Sequence, residues 1–314
     1  MKKLMIAALA ALLLCFSHAA LAEDTTVVLN ADIGSISVDR NTEYVDLGRL
    51  VLNRQGNDYN SLVNFLRQLP NVKKVDMFNS EVYRTQVDLL AGAFPNIEFG
   101  WTILIPCNNP LHPERTPHRV RTDQTAFSTL HNNQCTMHTN AELDVLRYCK
   151  ALKALDIGHN GLENLNFLYD LPQLKVLIVG KNNLTDITPI GSLTELEYLE
   201  LFSNKVRDIS PLANCTHLVD LNMANNRVES YAPLMNLQSL RRLFIYNSSS
   251  ATNNGPESWS VVGSLKSSLP NCTIDNATGG AHEAWRTGPR YQTITEMFSI
   301  TPIGTTYIPF TTLD

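Results

Sequence analysis

Leu152, Leu174, Leu196 and Leu218 follow one another at intervals of 22 residues, and nothing else in the chain restricts its fold as much. From each leucine, steps of 3, 5, 10, 13, 16 and 19 residues land on side chains that can be buried. The first register reads Leu152, Leu155, Ile157, Leu162, Leu165, Leu168 and Leu171; the third reads Leu196, Leu199, Leu201, Val206, Ile209, Leu212 and Cys215. Step 8 is asparagine each time: Asn160, Asn182, Asn204 and Asn226. Self-similarity at such a period marks stacked supersecondary units, because one unit alone leaves its apolar edge in water.

The spacing also indicates the shape of each unit. Leucines two residues apart lie on one face of a short strand. The asparagine then turns the chain, and its amide can satisfy backbone groups that the turn would bury unpaired. The return segments Asp186-Ile187-Thr188-Pro189 and Asp208-Ile209-Ser210-Pro211 suit 3₁₀ or extended turns better than an α-helix. This is a leucine-rich repeat, and the 22-residue form resembles the internalin-like class. The expected fold is an α/β repeat: a curved leucine-rich-repeat solenoid with one parallel sheet on the concave face, and short 3₁₀ or turn segments with a few helices on the convex face.

Flanking segments obey the pattern less strictly. Lys2 and Lys3, an apolar run from Leu4 to Phe16 and Ala20-Leu21-Ala22 predict a signal peptide over 1–22, cleaved after Ala22. Secretion follows, to the extracellular space or cell surface. Residues 23–102 read as an N-terminal cap with irregular repeats, including strands at Tyr44–Leu47 and Val72–Met77 and helices over Leu62–Leu69 and Val82–Phe94. Residues 103–140 read as an insertion, 141–247 as the regular repeats and 248–314 as a C-terminal capping region over the open end of the stack. Leu143, Leu146 and Cys149 fit the end of a repeat whose strand half is lost.

The succession YVDL, LPNVKKVDMF, FPNIEFGWTI, VRTDQTAFSTL, LRYCKALKALDIGHN, LEYLELFSN and TGPRYQTITEMF is similar to a family of secreted leucine-rich-repeat proteins of gut-dwelling Gram-positive bacteria. The resemblance covers most of the mature chain. It implies the repeat fold and export, and no chemistry.

Composition narrows the function. With Lys+Arg 25 against Asp+Glu 30, the net charge of −5 offers no basic excess for nucleic acid. No second apolar run of spanning length follows the leader, so no membrane span is expected. Cys149 and Cys215 take apolar repeat positions and Cys272 a strand-start position, which makes them small buried hydrophobes. Cys107 and Cys135 then form a possible disulfide closing the insertion, worth roughly 3 kcal/mol on loop entropy. His131, Cys135 and His138 have zinc-ligand types, but their spacing is not a standard motif, so no metal or other cofactor is expected.

On such strands, the residues between the leucines face away from the core. They place Val176, Ile178, Tyr198, Glu200, Phe202, Asp220, Arg242, Phe244 and Tyr246 on one continuous surface. Outward aromatics mixed with charges resemble a binding hot spot, so these are the expected partner contacts, unless the insertion or the cap folds over them. A protein partner is the first reading. A glycan stacking on Tyr198, Phe202 and Tyr246 is the alternative. A hydrolase built on Glu200 and Asp220 lacks supporting residues, and a non-catalytic module is expected.

Overall fold

The computed structural model describes residues 25–31, 34–52, 57–107, 116–130, 137–246, 259–276, 285–299 and 306–310. The signal-peptide segment 1–22 and the pair His131 and Cys135 lie outside these residues. The chain forms two compact units, one of residues 1–80 and 90–99, the other of residues 81–89 and 100–314.

In the first unit, β1 (Thr26–Ala31) and β2 (Gly34–Asp39) form an antiparallel hairpin. β3 (Tyr44–Asp46) pairs in parallel with β4 (Lys74–Tyr83), matching Val45 with Val75. Helix α1 (Asn57–Leu66) buries Leu62, Phe65 and Leu66. Helix α2 (Arg84–Ala93), whose residues 84–89 are counted with the second unit, begins two residues later than its apolar spacing suggests. The strand alternation runs on through buried Val82 and exposed Tyr83, and Tyr83 N–H donates to Gln86 Oε1 at 2.7 Å, marking the helix start.

The second unit carries the repeats. β5 (Glu98–Ile105) meets β6 (His118–Arg121) antiparallel, with Ile103 opposite Val120. Seven parallel strands then stack in one sheet: β7 (Ala126–Ser128), β8 (Ala154–Asp156), β9 (Val176–Ile178), β10 (Tyr198–Glu200), β11 (Asp220–Asn222), β12 (Arg242–Phe244) and β13 (Thr273–Asp275). Every apolar position of the four registers is buried, none more than 5% exposed. Five 3₁₀ turns carry the return path: Asp144–Tyr148, Asn166–Asp170, Thr188–Ser192, Ser210–Asn214 and Ala232–Leu234. Pro189, Pro211 and Pro233 each take the second position of a 3₁₀ turn, where no N–H is needed. The preceding aspartates fix the start: Asp186 Oδ1 accepts from Thr188 N–H and Asp208 Oδ1 from Ser210 N–H, both at 2.8 Å.

The four asparagines join successive turns. The Asn204 amide donates to Leu201 O and, one turn back, to Val179 O, both at 3.0 Å, while its Oδ1 accepts from Leu184 N–H at 3.1 Å. Asn182 and Asn226 repeat this set, and Asn160 accepts from His138 N–H at 2.9 Å.

Two readings of the middle of the chain are corrected. The repeat ending in Leu143, Leu146 and Cys149 keeps its strand: it is β7, whose Phe127 pairs with Leu155. The expected insertion 103–140 therefore contains one rung of the sheet. The longer interval between β7 and β8 hid it, because fixed-step reading fails once a turn is extended. A short helix α3 (Asn140–Leu143), closed by a Thr139–Glu142 capping box, leads back into the stack. Cys107 is disulfide-bonded, whereas Cys149, Cys215 and Cys272 are free thiols. Cys149 and Cys215 are fully buried and Cys272 half-buried. Helix α4 (Trp259–Ser268) precedes β13, and α5 (Pro289–Ser299) belongs to the C-terminal segment.

Candidate functional site on the open sheet face

The sheet face turned away from the leucines is not open. Residues 285–310, where described, lie across it as a strap. Trp285 packs tilted against Tyr198, ring centres 5.4 Å apart, and meets Phe244 edge-on at 5.0 Å. On α5, Ile294, Met297 and Phe298 recur at helical spacing and join the same buried cluster as Val176, Ile178, Tyr198 and Phe244. Tyr307 and Phe310 pack at its edge, and Tyr307 N–H donates to Thr125 Oγ1 at 2.9 Å.

Polar contacts set the strap's register. Trp285 Nε1 donates to Glu200 Oε1 at 2.9 Å, and Tyr198 Oη donates to the same oxygen at 2.5 Å. Arg290 Nη1 donates to Asp220 Oδ2 at 3.2 Å, with Arg242 Nε 3.8 Å from the other oxygen. Arg242 also donates to Trp285 O at 2.8 Å, and its guanidinium lies 4.3 Å from the Trp285 ring centre. Burial pushes the Glu200 and Asp220 carboxyls above the usual range, against the pull of the hydroxyl and indole on the first and of Arg290 and Arg242 on the second.

The expected partner surface is therefore corrected. Val176, Ile178, Tyr198, Glu200, Phe202, Asp220 and Phe244 are buried, and Arg242 and Tyr246 are half-buried. Outward apolar side chains need cover, and this chain supplies it from its own C-terminus. Trp285, Arg290 and Tyr291 escaped the sequence reading. Their signal was the apolar stripe Tyr291, Ile294, Met297 and Phe298 in a segment with no partner of its own.

Beside the strap lies a rim that the strands share. His159, Lys181, Ser203 and Asn225 follow β8 to β11 at the same repeat step, with φ of 57°, 55°, 55° and 56°. Each backbone N–H donates to the next rung: His159 to Gly180 O at 2.9 Å, Lys181 to Phe202 O and Ser203 to Ala224 O at 2.8 Å, and Asn225 to Tyr246 O at 2.7 Å. His159 and Lys181 are exposed, Ser203 and Asn225 partly so.

A cavity of about 150 Å³ opens between β8, β10 and the strap. Asp156, Ile178, Glu200, Phe202, Arg286 and Tyr291 are among its lining residues. Gly180 permits its floor, since a Cβ there would sit 2.4 Å from the Phe202 ring. Asp156 accepts from Ser128 Oγ at 2.8 Å and Gly158 N–H at 3.1 Å. Burial nevertheless pushes its carboxyl up to about 6, with the Glu200 charge adding to the rise. Among the described residues, no group of three His, Cys, Asp or Glu is placed to hold a metal ion.

Stacked parallel strands, an asparagine ladder and 3₁₀ returns define a leucine-rich-repeat solenoid. A sequence profile for leucine-rich repeats in two copies matches residues 172–214. Among solved structures, the chain is similar to an internalin (InlF) of Listeria monocytogenes, at 21% identity and a TM-score of 0.41, covering 67% of this chain and 62% of that one. It is likewise similar to a leucine-rich-repeat protein of Leptospira interrogans, at 22% identity and a TM-score of 0.41, covering 67% of this chain and 50% of that one. The chain thus spans less than two thirds of the length of either. No curated protein matches it in sequence. No helix among the described residues is long and apolar enough to cross a membrane.

Proposed function

We propose that this chain is a secreted, non-catalytic leucine-rich-repeat module that recognises a protein partner along the rim beside its strap. Leucine-rich-repeat proteins generally act by binding other proteins. The observation that carries the reading is the ladder of His159, Lys181, Ser203 and Asn225: four unlike side chains on one repeated backbone geometry. A left-handed backbone favours glycine, and another residue there costs on the order of 1 kcal/mol. Chemically varied side chains at strand spacing, ~4.8 Å apart, give a rigid surface that a partner can read without ordering it first. The basic end, apolar run and Ala-Leu-Ala of residues 1–22 support export.

The test is a capture experiment with residues 23–314 against host mucosal and bacterial surface extracts, comparing wild type with Lys181→Glu and Ser203→Arg. A protein retained by wild type and lost from both folded variants supports the rim. A protein retained equally by all three places recognition elsewhere. A ligand removed from the wild type by glycosidase treatment of the extract favours the glycan alternative.

A further inference from the structure

Two carboxylates face the cavity beneath the strap with only neutral hydrogen-bond partners. Asp156 is 4% exposed and holds Ser128 Oγ and Gly158 N–H; Glu200 is 6% exposed and holds the Tyr198 hydroxyl and the Trp285 indole, both at Oε1. Neither has a lysine or arginine nitrogen within 4 Å among the described residues. Elsewhere on the same face the opposite solution is used: Asp220, equally buried, is matched by Arg290 and Arg242. A buried charge left uncompensated is costly, and the usual remedy is a cation at hydrogen-bond distance.

The register defines the space between them. Asp156 pairs with Ile178 and Ile178 with Glu200, so the two acids stand on strands separated by one, roughly 10 Å apart at the backbone. Ile178 lies between them and Phe202, seated over Gly180, forms the floor. Trp285 and Tyr291 add aromatic surface from the strap. Two buried carboxylates, aromatic faces and the aliphatic Ile178 suit the ammonium end of a ligand better than a neutral polyol. A polyol would leave both charges buried and unmatched. At the mouth, exposed Arg286 acts on Glu200 through space, as Arg242 does from β12.

We propose that this cavity binds a small amino-acid-like solute, its ammonium group between Asp156 and Glu200 and its carboxylate at Arg286. The assignment does not rest on a protein partner at the rim, although His159 of the rim also lines the cavity. Calorimetric titration of residues 23–314 at pH 7.5 with glycine, 4-aminobutyrate, butylamine, butyrate, 1-butanol and galactose tests it. At least one amino acid is expected to bind, butylamine more weakly, and butyrate, butanol and galactose not at all. Glu200→Gln and Asp156→Asn should each weaken amino-acid binding about tenfold or more. Arg286→Ala, at an exposed position, should weaken the amino acid far more than butylamine.

Butanol or galactose binding as tightly as butylamine would overturn the proposal. So would amino-acid affinity undiminished in Arg286→Ala, or no amine or amino acid binding at millimolar concentration.

Discussion

The Trp285 indole donates to Glu200 Oε1 at 2.9 Å, across 85 residues of chain, with both side chains buried. That contact makes the C-terminal strap part of the folded unit. Each aromatic or aliphatic side chain it buries contributes about 1.5–3 kcal/mol, and Trp285, Ile294, Met297 and Phe298 all do so. The strap is consequently held as firmly as a core element.

Trp285→Ala should lower unfolding free energy by ~3–5 kcal/mol, and Tyr198→Ala by a similar amount, through the cavity each leaves. Tyr169→Ala, at a side chain 54% exposed on the return path, should change it by less than ~0.5 kcal/mol. Urea unfolding followed by circular dichroism distinguishes them. Equal, small effects at all three positions would mean that the strap does not seat on the sheet.

Neighbouring asparagines offer a sharper contrast. Asn204→Ala removes the partners of two buried carbonyls and one buried N–H and should cost ~1–3 kcal/mol. At Asn183, Oδ1 meets only the exposed Lys205 ammonium, and alanine there should be close to neutral. Paired melting curves decide the matter.

Asp156 should give stability a specific pH dependence. Its folded carboxyl titrates at about 6, above its unfolded value near 3.8, so the folded state holds the proton more tightly. Stability is therefore highest below the unfolded value and is lost as pH rises through the folded one, by roughly 2–3 kcal/mol for this group. Glu200 and Asp220 shift in the same direction, while Asp88, held down by Tyr148, Arg147 and Arg84, shifts in the other. Asp156→Asn should flatten the fall between about pH 4 and 6, read as the difference between the two proteins' denaturation midpoints. An unchanged difference across that range would refute the assignment.

Burial pushes the Cys149 and Cys215 thiols up to about 12, so neither should react with a thiol reagent in the native protein at pH 8. Both should react in denaturant. We propose Cys135 as the partner of Cys107; Cys135→Ser should then add one reactive thiol at Cys107, and no added thiol would assign the bond elsewhere.

The regular repeats were legible because a stack repeats its own environment. Leu199 meets Leu177 and Leu221 in register, so the same step selects the same side chain in every turn. Where a turn lengthens, that guide disappears: β7 precedes β8 by 28 residues, and its Ala126-Phe127-Ser128 carries no leucine signature. The disulfide-bonded state of Cys107 depends on spatial proximity, which no local pattern encodes. Glu200 was visible as an outward strand position and Asp156 takes the equivalent place two strands away, but their common cavity required the strap above them.

From the sequence alone came the repeat, the buried leucine positions and the direction in which each residue of the regular repeat strands points, since these follow from backbone periodicity. Tertiary structure alone decided what lies over the outward face. Tyr198, Phe202 and Phe244 would look the same in sequence beneath a partner or beneath their own chain. Burial is a property of what comes to rest against a side chain, and here that is a helix from the far end of the protein.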